Sequence, residues 1–285
     1  MRHSATMHGK GLDHDGFIAR EGSLALVPEA FAPVVAAAKT AILSAFAPDR
    51  LHSAYLYGSV PRGTAVAGTS DLDLLLALQD EPTDDDRATA RRIEDELDAR
   101  FPQIRGVGIL LYSTGTLLSD IERHDLGWFV ACLCTALAGE DLAVRLPRYR
   151  PTSLLARETN GDLGDLLPRL RDGLAESQTE ASLQKLARTV GRHLVRTGFT
   201  LVMPRFGGWT SDLEESAAVF GRFYPARAGQ MKTAASVGRV PTADRSVLEM
   251  LICDLAPWLA AEYVSVHGPK TPRSDTTSTG GAPPP

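Results

Sequence analysis

The sequence has few cysteines and no long uninterrupted apolar run. Three cysteines in 285 residues, Cys132, Cys134 and Cys253, do not have the spacing of zinc ligands, and we interpret them as reduced core residues. No apolar stretch approaches the ~18 residues of a membrane span, and the polar, charged residues 1–15 do not resemble a signal peptide. We therefore expect a cytoplasmic protein that does not associate with a membrane.

The sequence also lacks an excess of positive charge. Lys and Arg number 30 against 35 Asp and Glu, which gives a net charge of −5. This balance provides no general attraction for nucleic acid or anionic lipid, so we expect a small-molecule partner. Hydrophobic residues at 44% and charged residues at 23% are typical of a globular protein with a sizeable core.

Strand and helix signals are mixed in the first half of the chain, whereas strand signals are scarce after Pro147. The apolar spacing predicts an α+β protein in which an N-terminal α/β domain with a mixed sheet precedes a C-terminal helical domain. The predicted elements are a helix at 28–46, strands at 52–57, 72–78 and 107–112, and helices at about 84–100, 119–137, 162–174, 178–197, 211–222 and 242–264.

Composition divides the chain into four segments. Residues 21–145 are predicted to form the α/β domain and residues 146–265 a helical domain that covers a substrate or nucleotide. Residues 1–20 are expected to be mobile and residues 266–285 disordered, because both segments have too few apolar residues to offset the ordering entropy. A cleft between the two domains is the expected place for an acceptor.

Two aspartates open the apolar strand at 72–78. Asp71 and Asp73 are two residues apart, so in an extended strand both side chains project to the same face. Carboxylate oxygens are the ligands that Mg²⁺ prefers. An isolated Asp-x-Asp is more often a solvated turn, but two acids on an apolar strand carry a desolvation cost that a cation would offset. We therefore predict Asp71 and Asp73 to be metal ligands and catalytic residues.

A turn-rich segment precedes these acids. Gly58 and Ser59 follow a strand and are expected to begin a helix, where free backbone N–H groups and the helix dipole favour an anion. Gly58 allows close backbone approach, the Ser59 hydroxyl can donate to a phosphate oxygen, and Arg62 adds positive charge. The segment is therefore a predicted triphosphate site.

The motifs together resemble those of the DNA-polymerase-beta-like nucleotidyltransferase superfamily. The matching segments are Tyr57-Gly58-Ser59, Arg62-Gly63-Thr64 and Ser70-Asp71-Leu72-Asp73-Leu74, in the family's order and spacing. The spacer is similar to that of small bacterial aminoglycoside-type adenylyltransferases, which join this domain to a helical domain. Residues 139–142, Gly-Glu-Asp-Leu, resemble a further segment of those enzymes.

The resemblance implies a function. Gly58 and Ser59 would contact the triphosphate of ATP or another NTP, and Asp71 and Asp73 would hold Mg²⁺. A nucleoside monophosphate would pass to a hydroxyl group of a small acceptor, as in antibiotic modification or biosynthesis, with release of pyrophosphate. Two alternatives stay open: a toxin–antitoxin type transferase that modifies a protein, and a nucleotide-binding regulatory protein with impaired catalysis.

One feature departs from the family pattern. The family places a third carboxylate on a later strand, but here residues 106–112 read Gly-Val-Gly-Ile-Leu-Leu-Tyr and contain no acid. Asp120, Glu122 or Asp125 from the following segment could substitute, the acceptor could supply the missing group, or catalysis could be impaired.

Weaker candidates lie elsewhere in the chain. Arg188, Arg192, His193 and Arg196 form a cationic stripe at helical spacing, for which a solvated helix face is the preferred interpretation, with Arg192 the first choice as a phosphate contact. His124 is interpreted as part of a surface turn rather than a base. The aromatic residues Phe206, Trp209 and Tyr224 are expected to pack in a core, although they could stack on a base.

Overall fold

The computed structural model describes residues 10–273, which separate into two compact units. Residues 19–149 form a mixed α/β unit, and residues 10–18 together with 150–273 form a helical unit. The α+β class predicted from the sequence is confirmed. The predictions for residues 1–9 and 274–285 fall outside the described residues. None of the described helices is long and apolar enough to cross a membrane.

The α/β unit contains a four-stranded mixed sheet. Its strands are β1 (Leu51–Tyr57), β2 (Leu72–Leu78), β3 (Val107–Ser113) and β4 (Thr135–Gly139), in the order β3-β2-β1-β4. The pairs β1–β2 and β1–β4 are antiparallel, whereas β2 and β3 run parallel. Its longer helices are α1 (Ala32–Ala45) and α2 (Asp84–Arg100), and the short helices α3 (Thr114–Leu117) and α4 (Leu126–Trp128) follow β3, with α4 continuing as one π-helical segment at Phe129–Leu133.

Side chains alternate between the two faces of the sheet along β2, and one of these faces packs on the main apolar core. The even-numbered leucines from Leu72 to Leu78 belong to the main apolar core, together with residues of α1 and α2 such as Ile42 and Ile93. The odd-numbered residues therefore lie on the opposite face, where the Tyr57 ring contacts the Phe129 ring edge-on at 5.0 Å. Asp71 and Asp73 have the parity of this second face.

The helix α2 begins at a well-defined cap. Thr83 and Asp86 form a capping box, and the Asp86 carboxylate also accepts from the Arg50 guanidinium, which precedes β1. These contacts hold the pKa of Asp86 at about 2, because the Arg50 hydrogen bond favours the charged form and outweighs burial. The cap therefore fixes the start of α2 against the sheet.

The predicted helix at 119–137 is correct only over residues 126–133, which form α4 and the π-helical segment. Residues 119–125 are turns, and the end of the segment is a strand. After the π-helical segment ends, Thr135–Gly139 forms strand β4 and pairs with Ser53–Leu56 of β1. Gly139 then turns the chain at a φ of 76°, beside the His52 backbone. Local sequence favoured a helix here because Leu, Ala and Cys are compatible with one, but the open edge of β1 provides backbone partners.

The helical unit is built around one long helix. The elements are α5 (Ser153–Asn160), α6 (Leu163–Glu176), α7 (Glu180–Phe206), α8 (Leu213–Phe223), α9 (Ala228–Arg239), α10 (Arg245–Glu249), its π-helical continuation Met250–Leu255, and α11 (Ala256–His267). The sequence did not predict α5 or α9. Gly191 and Gly198 allow α7 to approach α9 closely, since a Cβ there would lie 2.5 Å from the Ala234 carbonyl oxygen and 2.3 Å from Met231.

Two segments predicted to lack order have defined contacts within the described range. The Trp209 amide donates to the Lys10 carbonyl, and Arg150 lies over the Phe17 ring at 4.0 Å. At the other end, Lys270 forms an ion pair with Asp162 at 3.0 Å, and the Thr271 hydroxyl donates to Glu158. Both segments are therefore attached to the helical unit.

Candidate functional site

Asp73 lies in β2 near two glycines, Gly58 directly after β1 and Gly108 in β3. Its register partners are Tyr57 in β1, directly before Gly58, and Gly108 in β3. A Cβ built on Gly58 would lie 2.5 Å from Asp73 Oδ2, and one on Gly108 would lie 3.9 Å from Oδ1. The Asp73 carboxylate therefore occupies space that exists because Gly58 lacks a side chain, whereas a Cβ at Gly108 would make an ordinary van der Waals contact with it.

Asp71 lies two residues before Asp73, just outside the start of β2. Its two carboxylate oxygens accept from Nε and Nη2 of Arg105, each at 3.1 Å. The Asp71 side chain is 24% exposed and that of Arg105 is 47% exposed, so the pair lies at the surface of the α/β unit. The sequence did not single out Arg105, which is 34 residues away and reaches Asp71 only through the parallel pairing of β2 with β3.

The segment after β1 is a series of turns rather than the predicted helix. The Gly63 amide donates to the Val60 carbonyl, the Thr64 amide donates to the Ser59 carbonyl, and both Gly58 and Gly63 have positive φ. Pro61 and the left-handed Gly63 prevent helical continuation. The predicted helix dipole is therefore absent, and any anion site here depends on the turn backbone, the Ser59 hydroxyl and nearby cations.

The backbone segment 21–23 packs against this turn and supports it. The Ser23 amide donates to the Pro61 carbonyl at 2.8 Å, and Gly22 approaches the same carbonyl so closely that a Cβ would lie 2.9 Å from its oxygen. The Arg62 guanidinium lies 3.4 Å from the Glu21 carboxylate. Arg62 is thus in the turn, as the sequence predicted, with its charge partly balanced by Glu21.

Strand β3 contains no acidic residue beside Asp73. Because Asp73 pairs with Gly108 and Leu75 with Leu110, the residues of β3 on the Asp73 face are Gly108, Leu110 and Tyr112. No carboxylate is available from β3 itself on that face. The space beside Asp73 that a third acid would fill is the space at Gly108.

The three substitute acids have other contacts in the structure. Asp120 forms an ion pair with Arg123 on the surface. Burial raises the pKa of Tyr112 to about 12, and the nearby Asp125 and Glu122 add to the shift. Tyr112 pairs with Ala77, four residues and about 13 Å along the strand from the Gly108 position. Whether one of these acids acts in the reaction stays a prediction.

Glu94 of α2 is a further carboxylate near the start of β3. Its Oε1 accepts from the Ile109 amide at 2.7 Å, one residue after Gly108, at the outer edge of the sheet. Burial raises the pKa of Glu94, as do the like charges of Asp98 and Asp95, against the lowering effect of the Ile109 hydrogen bond. Sequence reasoning missed Glu94 because it lies within a run of charged helical residues.

The cationic stripe lies on α7 in the helical unit. Arg192 Nε donates to the Gly238 carbonyl of α9 at 3.2 Å, so this guanidinium takes part in helix packing. Burial lowers the pKa of His193, whose Nε2 has no hydrogen-bond partner in the described part of the chain. The role of Arg192 as a nucleotide contact stays a prediction.

The structure places His124, two of the aromatic residues and two of the cysteines as the sequence predicted. His124 lies in a turn, 6.0 Å from the Tyr149 ring. Trp209 is buried and packs edge-on against Phe199 with 5.6 Å between ring centroids, and Tyr224 stacks on Phe220 at 5.2 Å. Cys132 and Cys134 are buried as expected, and burial raises the pKa of both thiols, but Cys253 is exposed, so its assignment to the core was wrong.

A different group of potential ligands lies near the chain's start. Asp13, His14 and Asp15 bring their ligating atoms within 4.8 Å of one another. The Asp13 carboxylate accepts from the backbone amides of Asp15 and Phe17, each at 3.0 Å, which is the role of a turn-stabilising side chain. This group therefore has a structural explanation, and it belongs to the helical unit.

The fold is similar to one found among solved structures. The match is a crystal structure of spectinomycin adenyltransferase AAD(9) from Enterococcus faecialis with ATP and spectinomycin, with a TM-score of 0.51 and 13% sequence identity. The similarity covers 81% of this chain and 98% of that chain. No family model matches the sequence, and no curated protein matches it. The likeness confirms the predicted fold, which this chain shares with that adenyltransferase.

Proposed function

We propose that this protein is a magnesium-dependent nucleotidyltransferase. It transfers a nucleoside monophosphate, foremost AMP from ATP, to a hydroxyl group of a small acceptor and releases pyrophosphate. The observation that carries the proposal is the placement of Asp73 against Gly58, with Asp71 two residues earlier, just before β2. The fold shared with an adenyltransferase bound to ATP supports it.

The residues present fit a magnesium ion. Asp71 and Asp73 supply hard carboxylate oxygens from one strand, and the Asp73 carboxylate lies in a space that a side chain at position 58 would fill. Mg²⁺ bound there would neutralise charge on the phosphate oxygens during transfer. Gly58, Ser59 and Arg62 would hold the triphosphate beside these acids, through the turn backbone, a hydroxyl donor and a guanidinium.

The transfer breaks one phosphorus–oxygen bond and forms another. The acceptor oxygen bonds to the α-phosphorus, pyrophosphate leaves with the electron pair of the broken bond, and the hydroxyl proton passes to a base or to water. Positioning of the triphosphate and the acceptor supplies most of the acceleration. Since β3 has no acid beside Asp73, the proton acceptor comes from outside that strand.

A binding and turnover experiment tests the proposal. Mg²⁺ and ATP would be titrated into the wild type and into Asp71→Asn/Asp73→Asn, and pyrophosphate release would be followed with hydroxylated acceptors, spectinomycin first among them. Asp95→Asn/Asp98→Asn, on the exposed face of α2, removes the same charge elsewhere in the unit and is the matched control. Metal-dependent ATP binding in the wild type and the control, with at least a tenfold loss in the site variant, is expected. Equal binding in all three proteins would refute the site.

A second candidate function has a specific observation in its favour. Gly108 stands where a third carboxylate would face Asp73, so the protein could bind a nucleotide without transferring it and act as a regulator. The same experiment separates the two. Pyrophosphate release that requires both aspartates supports the enzyme, whereas tight metal-dependent binding without release across the acceptor panel supports the regulator.

A further inference from the structure

Arg105 is fixed beside Asp71 by the backbone of the sheet. Its amide donates to the Ser70 carbonyl at 3.0 Å, and the Leu72 amide donates to the Gly106 carbonyl at 2.9 Å, so the residues that flank the ion pair are hydrogen-bonded to each other. The guanidinium then presents two parallel donors to both oxygens of Asp71. This fork geometry requires little further ordering, and it is specific to arginine.

The ion pair occupies the oxygens that a metal would need. A cation bound to Asp71 would repel the guanidinium, and the two positive groups would compete for the same carboxylate. The pair is easily opened, because the Arg105 side chain is 47% exposed and a half-exposed ion pair contributes little net stability. Since β1 is antiparallel to β2 and β3 is parallel to it, the turn at Gly58, Asp71 and Arg105 lie at the same end of the sheet. Displacement therefore leaves a guanidinium at the end of the sheet where the triphosphate of the proposed substrate would lie.

We propose that Arg105 is a nucleotide-positioning residue that holds Asp71 until the metal–triphosphate complex enters and then transfers to a phosphate oxygen. The inference rests on the proposed function, because it requires the metal at Asp71 and Asp73. Two consequences follow for one side chain. Arg105 weakens the binding of a bare divalent cation, and it strengthens the binding of the metal–nucleotide complex.

Opposite shifts in two affinities distinguish this role from a structural one. Removal of the guanidinium in Arg105→Gln should tighten binding of Mn²⁺ alone by about two- to fivefold, since the competitor for Asp71 is gone. The same variant should bind Mg²⁺·ATP about tenfold more weakly, since a charge-assisted hydrogen bond to phosphate is lost. A merely structural residue would weaken both affinities together or leave both unchanged.

The experiment measures Mn²⁺ binding without nucleotide by electron paramagnetic resonance and Mg²⁺·ATP binding by calorimetry. Arg123→Gln is the matched control, because Arg123 is 49% exposed and also forms a surface ion pair within the same unit. Arg105→Lys keeps the charge without the fork and should restore part of the nucleotide affinity. A thermal melt of each variant checks that the fold is retained.

Failure of the role of Arg105 and failure of the proposed metal site give different results. If the wild type binds Mn²⁺ through Asp71 and Asp73 but Arg105→Gln shows the same or weaker Mn²⁺ affinity, the role of Arg105 is refuted and the proposed site stands. Unchanged nucleotide affinity in Arg105→Gln refutes it equally. If Asp71→Asn/Asp73→Asn binds Mn²⁺ and Mg²⁺·ATP like the wild type, the metal site and the inference fail together.

Discussion

Substitution of Gly58 by alanine should disturb Asp73 directly. The new Cβ would lie 2.5 Å from Asp73 Oδ2, which is far inside van der Waals contact, so the carboxylate must rotate. The φ of 79° at this position adds a backbone cost of about 1–2 kcal/mol for a residue with a Cβ. Both effects act on the strand end where the proposed metal ligands lie.

The cost of the rotation sets the expected change in binding. A side chain forced about 30° from its rotamer loses about 0.5–1.5 kcal/mol, which corresponds to roughly two- to tenfold in an equilibrium constant if the metal requires the original orientation. We therefore expect Gly58→Ala to bind Mg²⁺·ATP two- to tenfold more weakly. Its free energy of unfolding should fall by about 2 kcal/mol, the backbone cost and part of the clash together.

Gly68 provides a matched control in the same loop. Its φ is 74°, nearly that of Gly58, but a Cβ there would meet no described atom within 4 Å. Gly68→Ala should therefore lose about 1–2 kcal/mol of stability and keep its affinity for Mg²⁺·ATP. Calorimetric titration and urea unfolding of both variants measure the two quantities. Equal nucleotide affinity in Gly58→Ala, Gly68→Ala and the wild type would refute the reasoning about Asp73.

Two further predictions concern the α/β unit. Asp86→Asn removes a carboxylate whose folded pKa of about 2 lies below its ordinary value of 3.8, so the variant should lose about 2 kcal/mol of unfolding free energy. This stability is present above pH 3.8 and is lost as the pH falls towards 2. The unfolding free energies of the wild type and Asp86→Asn, measured with urea, should therefore differ at pH 7 and converge near pH 2. A difference that is the same at both pH values would contradict the lowered pKa of Asp86. Gly108→Asp places a third carboxylate beside Asp73, where the nearest described atom to the new Cβ is Asp73 Oδ1 at 3.9 Å. Its melting temperature should fall without Mg²⁺, because like charges meet, and recover when Mg²⁺ is added; no effect of the metal would count against a metal site at Asp73.

The sequence predicted those elements whose stability is largely local. The strand at 72–78 was found because its apolar residues are consecutive and bounded by turn residues, and α2 was found from its acidic first turn and amphipathic repeat. The strand β4 was missed because its residues are as suitable for a helix, and only pairing with Ser53–Leu56 makes them a strand. Helix α9 was missed because its polar residues and glycines obscure the repeat, whereas packing against α7 stabilises it.

The candidate site divides in the same way. Asp71, Asp73 and Gly58 were identified from short spacing, because strand alternation and turn chemistry are local rules. Arg105 and Glu94 were not identified, because the contacts of both depend on the position of β3. Arg105 precedes β3 and reaches Asp71, and Glu94 of α2 reaches the Ile109 amide in β3. The helix predicted at Ser59 failed because Pro61 and Gly63 favour successive turns.

The charges around Asp73 bear on how many metal ions the proposed reaction would use. Asp71 and Asp73 contribute two negative charges and Arg105 one positive charge, while Gly58 and Gly108 contribute none. One divalent cation would more than balance this set and give the site the positive charge that attracts a triphosphate. A second cation would lack a carboxylate on the β3 side, since two-metal sites share acids between ions about 3.5–4 Å apart. The proposed site is therefore suited to a single metal ion that enters with the nucleotide. The Gly108→Asp variant is the change that would create a second metal site.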